Sequence, residues 1–151
     1  HAVGRGDADS ARREAGAALV CGVGFMAIAG LVILSIPSQL ARVFSTEAAV
    51  IALASQLLPV AAAFQVFDGV QGVASGILRG LGDTRVPMLL NLFGFIVVGV
   101  PVAALLAFPL GYGPVGIWWG LVICLVVVAA LLAVRVRSRL GDRLVRLEGA
   151  P

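Results

Sequence analysis

The chain has 151 residues, of which 60% are hydrophobic and only 13% are charged, and its formal net charge at pH 7 is +3. Soluble domains carry about 25% charged residues, so this composition leaves too little polar cover for a soluble surface. Together with a mean hydropathy of +1.06, it excludes an ordinary soluble domain and indicates a membrane protein.

The chain opens with a short polar segment whose first residue is His1 and which shows no signal-peptide pattern. We therefore expect a fragment or a processed piece of a longer protein. Cys21 and Cys124 lie inside apolar runs far apart in sequence. This placement predicts two small buried side chains and neither a disulfide nor a metal site.

Long apolar runs predict four membrane-spanning helices. Residues 15–41 and 86–134 carry no charge, and residues 48–78 carry one, that of Asp68. A span needs about 20 apolar residues, so the last run is long enough for two, which the turn-forming residues 109–114 (PLGYGP) divide. We predict an all-α integral membrane protein with a cytoplasmic loop at 1–14, a four-helix membrane domain at 15–134 (spans at about 15–37, 46–78, 86–108 and 115–134), and a cytoplasmic basic tail at 135–151.

The placement of the arginines predicts the direction of the spans. The chain contains no lysine, so the arginines alone carry the charge bias. Arginines precede the first span, lie between the second and third, and follow the fourth; only Arg42 falls on the other side if the spans alternate. Cytoplasmic loops carry the excess of basic residues, so we expect both termini on the cytoplasmic side of the cell (inner) membrane, with Tyr112, Trp118 and Trp119 at the outer interface. We interpret the basic tail as an orientation signal and expect no nucleic acid partner.

Asp68 lies deep inside the second span. Eleven residues separate it from Arg79 at the predicted membrane edge. At about 1.5 Å per residue this is roughly 16 Å, near the midplane of a core about 30 Å thick. An unpaired acid at that depth is costly, and helix packing does not require one, so we expect Asp68 to have a functional role.

A polar stripe surrounds this acid. At about 100° per residue, Gln65, Asp68, Gly72, Ser75 and Arg79 fall within an arc of roughly 80°, and Gln71 lies at its edge. Such a face is not expected to meet hydrocarbon, so we predict that it faces a protein interior or a watered cavity.

Glycines and prolines suggest where the helices pack and bend. The G-x-x-x-G spacing of Gly72, Gly76 and Gly80 predicts close helix packing. Pro59 and Pro101 lie inside the second and third spans, where each removes a backbone hydrogen bond and favours a bend. Asn91 in the third span is expected to make an interhelical hydrogen bond.

Four stretches of the sequence are similar to the C-terminal lobe of the multidrug and toxic compound extrusion (MATE) family. The most specific match is residues 76–87 (GILRGLGDTRVP), which resembles the loop between that family's tenth and eleventh helices. The other three are residues 3–13 (VGRGDADSARR), 64–68 (FQVFD) and 116–120 (GIWWG). The resemblance implies the last four helices of a twelve-helix, two-lobe transporter whose N-terminal lobe is missing from this chain.

The resemblance implies that the whole protein exchanges lipophilic, often cationic drugs for protons or sodium ions and needs no other cofactor. In some members the acid that matches Asp68 helps bind the coupling cation, and a tyrosine precedes it by one turn where this chain has Phe64. The resemblance leaves protons and sodium ions both open. The expected site is Asp68 for cation coupling, with cavity-lining candidates at Phe64, Gln65, Gln71, Ser75 and Asn91 and no metal ligand.

Two other functions are open. A flippase of the same superfamily would move a lipid-linked precursor, but we would expect cationic residues in its cavity, and the spans contain none. A small structural subunit of four helices would leave the polar stripe unmatched. We expect no enzyme activity, because His1 is terminal and no nucleophile lies beside a base. The expected partners are therefore small-molecule drugs, the lipid bilayer and the missing N-terminal lobe.

Overall fold

The computed structural model describes residues 8–148, with side chains described at residue 10 and at residues 13–139. Residues 1–7 and 149–151, which hold half of the predicted N-terminal loop and the end of the predicted tail, lie outside the described residues. Within the described residues, four helices are long and apolar enough to span a membrane: Arg13–Ser35, Ala48–Gly80, Arg85–Ala107 and Gly113–Arg139. The predicted fold class, an all-α membrane protein with four transmembrane helices, is confirmed.

Six α-helices and one π-helical segment make up the described chain. They are α1 (Ala8–Ser35), α2 (Pro37–Phe44), α3 (Ala48–Gly80), α4 (Arg85–Phe93), the π segment (Gly94–Gly99), α5 (Val100–Ala107) and α6 (Gly113–Glu148). Pro37 occupies the first helical position of α2, where its missing N–H is no loss. The basic segment after residue 134 continues α6 as a helix.

The third span changes its helical geometry in the middle. Pro101 lies at the start of α5, and its ring would clash with the carbonyl four residues earlier in a regular α-helix. The π segment directly before it widens the turn, and the Val100 amide donates to the Phe95 carbonyl five residues back. The bend that Pro101 predicts is thus absorbed as a change of hydrogen-bond register.

Helix α3 packs between α1 on one face and α6 on another. A Cβ added at Gly69 would lie 2.6 Å from Met26 Cγ of α1, and one added at Gly22 would lie 2.6 Å from Val73 Cγ2. Towards α6, Leu78 lies in a fully buried apolar cluster whose other members are Ala74, Cys124, Val128, Leu132 and Val136.

Two packing expectations are wrong within the described residues. A Cβ placed on Gly72, Gly76 or Gly80 would meet nothing within 4 Å, so this glycine face is open. Cys124 is buried as predicted, but Cys21 is exposed on the surface of α1. Hydrophobicity alone does not separate a core-facing from an outward-facing cysteine, because both sides of a membrane helix are apolar.

Consecutive spans run in opposite directions, so the ends of the helices collect on two sides. Contacts of Gly22 with Val73 and of Gly30 with Ala62 place the start of α1 beside the end of α3. Asp83, which follows α3, reaches Arg135 of α6. We call this side the arginine-bearing end; the opposite end carries the exposed side chains of Tyr112 and Trp119.

Candidate functional site

The polar stripe of α3 lies on a face that no other described helix covers. Asp68 is exposed in the middle of the span Ala48–Gly80. At about 100° per residue, Gly69 and Val73 lie roughly 100–140° to one side of it, against α1, and Phe64 and Leu78 roughly 40–80° to the other side, against α6. The stripe therefore lies between two packed faces.

Asp68 has no hydrogen-bonding or ion-pairing partner among the described residues. Its neighbour Gly72 is open, and Ser75 is half-buried one turn further on. Gln65 turns towards α1, where its Nε2 donates to Met26 Sδ over 3.6 Å. A carboxylate at this depth on an open face, with backbone exposed beside it, can accept a proton or a cation from the space it faces.

An amide pair links the edge of the stripe to the third span. Gln71 Nε2 donates to Asn91 Oδ1 of α4, so these two predicted residues are brought together. The interhelical hydrogen bond expected of Asn91 is present. Gln71 Oε1 is buried and finds no partner within the described part of the chain. A buried carbonyl oxygen in this state is an acceptor for a donor or a cation.

Phe64 contacts α6 instead of standing free. Its ring meets Trp118 edge to face, with centroids 5.9 Å apart and the planes at 73°. This geometry is favourable for aromatic pairs. Both side chains are half-buried, so Trp118 packs inward, unlike its exposed neighbour Trp119. Phe64 forms one wall of the region around the stripe.

Sequence reasoning missed an ion cluster at the arginine-bearing end. Asp83 Oδ2 accepts from Arg135 Nε at 3.0 Å and from Arg139 Nε at 3.1 Å. Burial of this carboxyl opposes its ionisation, but the hydrogen bonds and charges of the two guanidinium groups outweigh burial and hold the pKa of Asp83 below its ordinary value. The only sequence signal was the i, i+4 spacing of the two arginines.

The described residues contain no group of three or more histidine, cysteine, aspartate or glutamate side chains able to hold a metal ion. The chemistry available around Asp68 is that of one carboxylate and several neutral polar groups, with Arg79 about three turns away at the arginine-bearing end. Such a set suits reversible binding of a proton or of an alkali cation.

Comparison with known proteins identifies the class to which this four-helix arrangement belongs. The MatE family model matches residues 1–105. The chain therefore belongs to the MatE family of membrane transporters, which confirms the resemblance seen in its motifs.

Individual relatives agree with this assignment. The chain is 45% identical over 145 residues to a probable multidrug resistance protein NorM of Brucella suis, covering 93% of this chain and 31% of the relative. It is 44% identical to the multidrug resistance protein NorM of Burkholderia vietnamiensis, covering 88% and 30%. It is 49% identical to a probable NorM of Mesorhizobium japonicum, covering 87% and 29%. The chain thus spans about 30% of the length of the curated relatives it matches.

Proposed function

We propose that this chain is part of a secondary active antiporter that exports lipophilic, often cationic drugs in exchange for protons or sodium ions. Its relatives are named multidrug resistance proteins. The observation that carries the proposal is the exposed carboxylate of Asp68, in the middle of a span and on a face between two packed surfaces. A membrane protein keeps an ionisable group at this depth where an ion or a substrate passes.

The stripe supplies the elements of an ion-coupling site. Asp68 provides the negative charge that attracts a coupling cation. Gln71 Oε1 is a neutral acceptor one turn away, and Asn91 holds the Gln71 amide in place. Exchange follows if the cation and the drug occupy this region alternately.

We further propose that other parts of the full-length protein cover the open face. The relatives are about three times as long as their match to this chain. In many transporters the binding site lies near the midplane, between two repeats or lobes. The N-terminal lobe that the family resemblance implies would then face Asp68, and access to the site would alternate as the two lobes move.

We assign the arginine-bearing end to the cytoplasm, which makes the protein a multi-pass component of the cell (inner) membrane with both termini inside. The charge bias supports this orientation, because membrane proteins retain basic loops on the cytoplasmic side. The exposed Tyr112 and Trp119 would lie at the outer interface.

The test is transport by the full-length protein in liposomes loaded with a fluorescent lipophilic cation. Proton and sodium gradients are imposed separately, so that the gradient that drives dye movement identifies the coupling ion. Asp68→Asn should abolish gradient-driven movement, whereas Glu47→Gln, which removes an acid before the start of the same helix, should leave it near the parental rate. Parental transport by Asp68→Asn would contradict the coupling role.

A further inference from the structure

The ion cluster at Asp83 joins segments of the chain that are far apart in sequence. Asp83 lies in the connection between α3 and α4, and its partners Arg135 and Arg139 lie on α6, 52 and 56 residues later. The Asp83 side chain is only 9% exposed, so its carboxylate is held away from water. A buried carboxylate bound by two guanidinium groups is a strong, charge-assisted contact.

The connection is shaped so that Asp83 reaches α6. Gly82 adopts a φ of +77°, a left-handed conformation that glycine tolerates and that commonly ends helices. The Asp83 amide donates back to the Leu78 carbonyl at 2.8 Å, and the Gly82 amide donates to the Arg79 carbonyl at 2.9 Å. These bonds tie the loop to the last turn of α3 and hold the Asp83 side chain near α6.

The carboxylate also resolves a conflict on α6. Arg135 and Arg139 are four residues apart and therefore lie on the same helix face, where like charges destabilise a helix. Asp83 accepts from both and lies between them. Without it, two partly buried guanidinium groups would repel each other at the point where α6 meets the loop.

Beneath the cluster, α3 and α6 meet in an apolar contact. Leu78 and Leu132 are fully buried there, and Val136 nearly so. Separating side chains packed in this way is costly, because each loses the atoms that it contacts. The cluster therefore closes over an apolar interface, and the short connection links α4 to it.

We propose that Asp83, Arg135 and Arg139 form a charge clamp that holds α3, α4 and α6 as one rigid unit during transport. Asp83 is then a positioning residue: by fixing the start of α4 at α6, on which α3 also packs, it keeps Asn91 opposite Gln71 and fixes the geometry beside Asp68. The transport part of this inference rests on the proposed function; the clamp itself does not.

The clamp is tested in the full-length protein through a cysteine at Leu81, which is buried in the same connection, labelled with a water-soluble maleimide. Asp83→Asn should raise the labelling rate of Leu81→Cys about tenfold, because loss of a buried charge-assisted hydrogen bond allows the loop to open and exposes this position. Arg137→Gln is the matched control, because Arg137 is exposed between the two clamp arginines and makes no clamp contact. It should leave the labelling rate unchanged.

Transport kinetics give the second measurement. Asp83→Asn should raise the ion concentration that half-saturates transport by roughly three- to tenfold, within the range for a residue that acts on a site through the elements packed between them. Loss of folded protein alone would lower the maximal rate and leave this concentration unchanged. Asp83→Glu, which keeps the carboxylate, should recover most of both effects.

Different results would overturn the proposed function and the charge clamp. If the parental protein transports nothing, the proposed function is wrong, and the labelling rates still decide whether the clamp exists. Unchanged labelling in Asp83→Asn would overturn the clamp. Faster labelling with an unchanged half-saturating concentration would overturn the positioning role. If Asp83→Asn does not fold, Arg135→Gln, which removes one of the two contacts, should give an intermediate labelling rate; a parental rate would overturn the clamp.

Discussion

Single small residues decide how closely these helices approach. A Cβ at Gly120 would lie 2.4 Å from Ala103 Cα, and one at Gly116 would lie 2.7 Å from the Leu106 carbonyl carbon. In both cases the neighbour is backbone, which cannot turn aside as a long side chain can. In a bilayer, where water does not drive helices together, such close contact is a main source of association energy.

Gly120→Ala should therefore destabilise the hairpin of α5 and α6 by about 1–3 kcal/mol, the usual cost of forcing extra volume into a packed interface. The measurement is thermal unfolding of the purified full-length protein in detergent. Gly24→Ala is the control, because a Cβ there meets nothing within 4 Å. It should be neutral or stabilise by up to about 1 kcal/mol. Equal losses for both variants would contradict the packing.

The lowered pKa of Asp83 predicts how the stability of the folded protein depends on pH. Its ordinary pKa is 3.8, and Arg135 and Arg139 lower it in the folded protein. The ionised carboxylate therefore contributes stability that is complete well above the ordinary value, begins to fall near it, and is lost as pH drops through the lowered folded pKa.

The difference in unfolding temperature between the parental protein and Asp83→Asn should accordingly be constant from about pH 7 to about pH 5 and shrink below about pH 4. Unfolding followed by tryptophan fluorescence across this range measures it. A difference that grows on acidification would mean that the contact with the arginines does not stabilise the folded state.

At the scale of elements, the third span depends on one proline. The π segment Gly94–Gly99 precedes Pro101, and its buried glycines Gly94 and Gly99 lie against α6. In a regular helix, position 101 would supply an amide to the carbonyl of Val97; proline has none. The widened turn lets the span continue while the glycines stay in contact with α6.

Pro101→Ala should restore that amide and slow hydrogen exchange across residues 94–101, because the segment can return to regular α-helical bonding. Exchange followed by mass spectrometry on peptides from the full-length protein measures this change. Pro109→Ala, in the turn after α5, is the control and should not affect these amides. Faster hydrogen exchange in Pro101→Ala would show that Pro101 is not the cause of the π segment.

Hydropathy and helical period were sufficient to predict the four spans and the polar face that contains Asp68. They could not predict contacts between distant segments. The pairing of Gln71 with Asn91 depends on how α4 lies against α3, and the bond from Asp83 to α6 crosses more than fifty residues. The open glycine face was misjudged because a G-x-x-x-G spacing indicates that a close approach is possible, without saying which helix makes it.

For the whole molecule, the orientation of the bundle leads to a labelling experiment on intact cells. Leu110 lies in the turn after α5 and Thr84 in the connection after α3, at opposite ends of the bundle. With the arginine-bearing end inside, a membrane-impermeant maleimide should label Leu110→Cys in intact cells and Thr84→Cys only after the cells are opened. The control is the same protein without the added cysteine; labelling of Thr84→Cys from outside would reverse the orientation.

The proposed antiport requires that the stripe around Asp68 bind a cation and release it when the drug binds. The most direct measurement is ion release from purified full-length protein on addition of a lipophilic cation, followed with a pH indicator for protons and a sodium-selective dye for sodium. The parental protein and Glu47→Gln should both release the coupling ion, and Asp68→Asn should release none. Release from Asp68→Asn equal to that of the parental protein would contradict the assignment of the stripe as the coupling site.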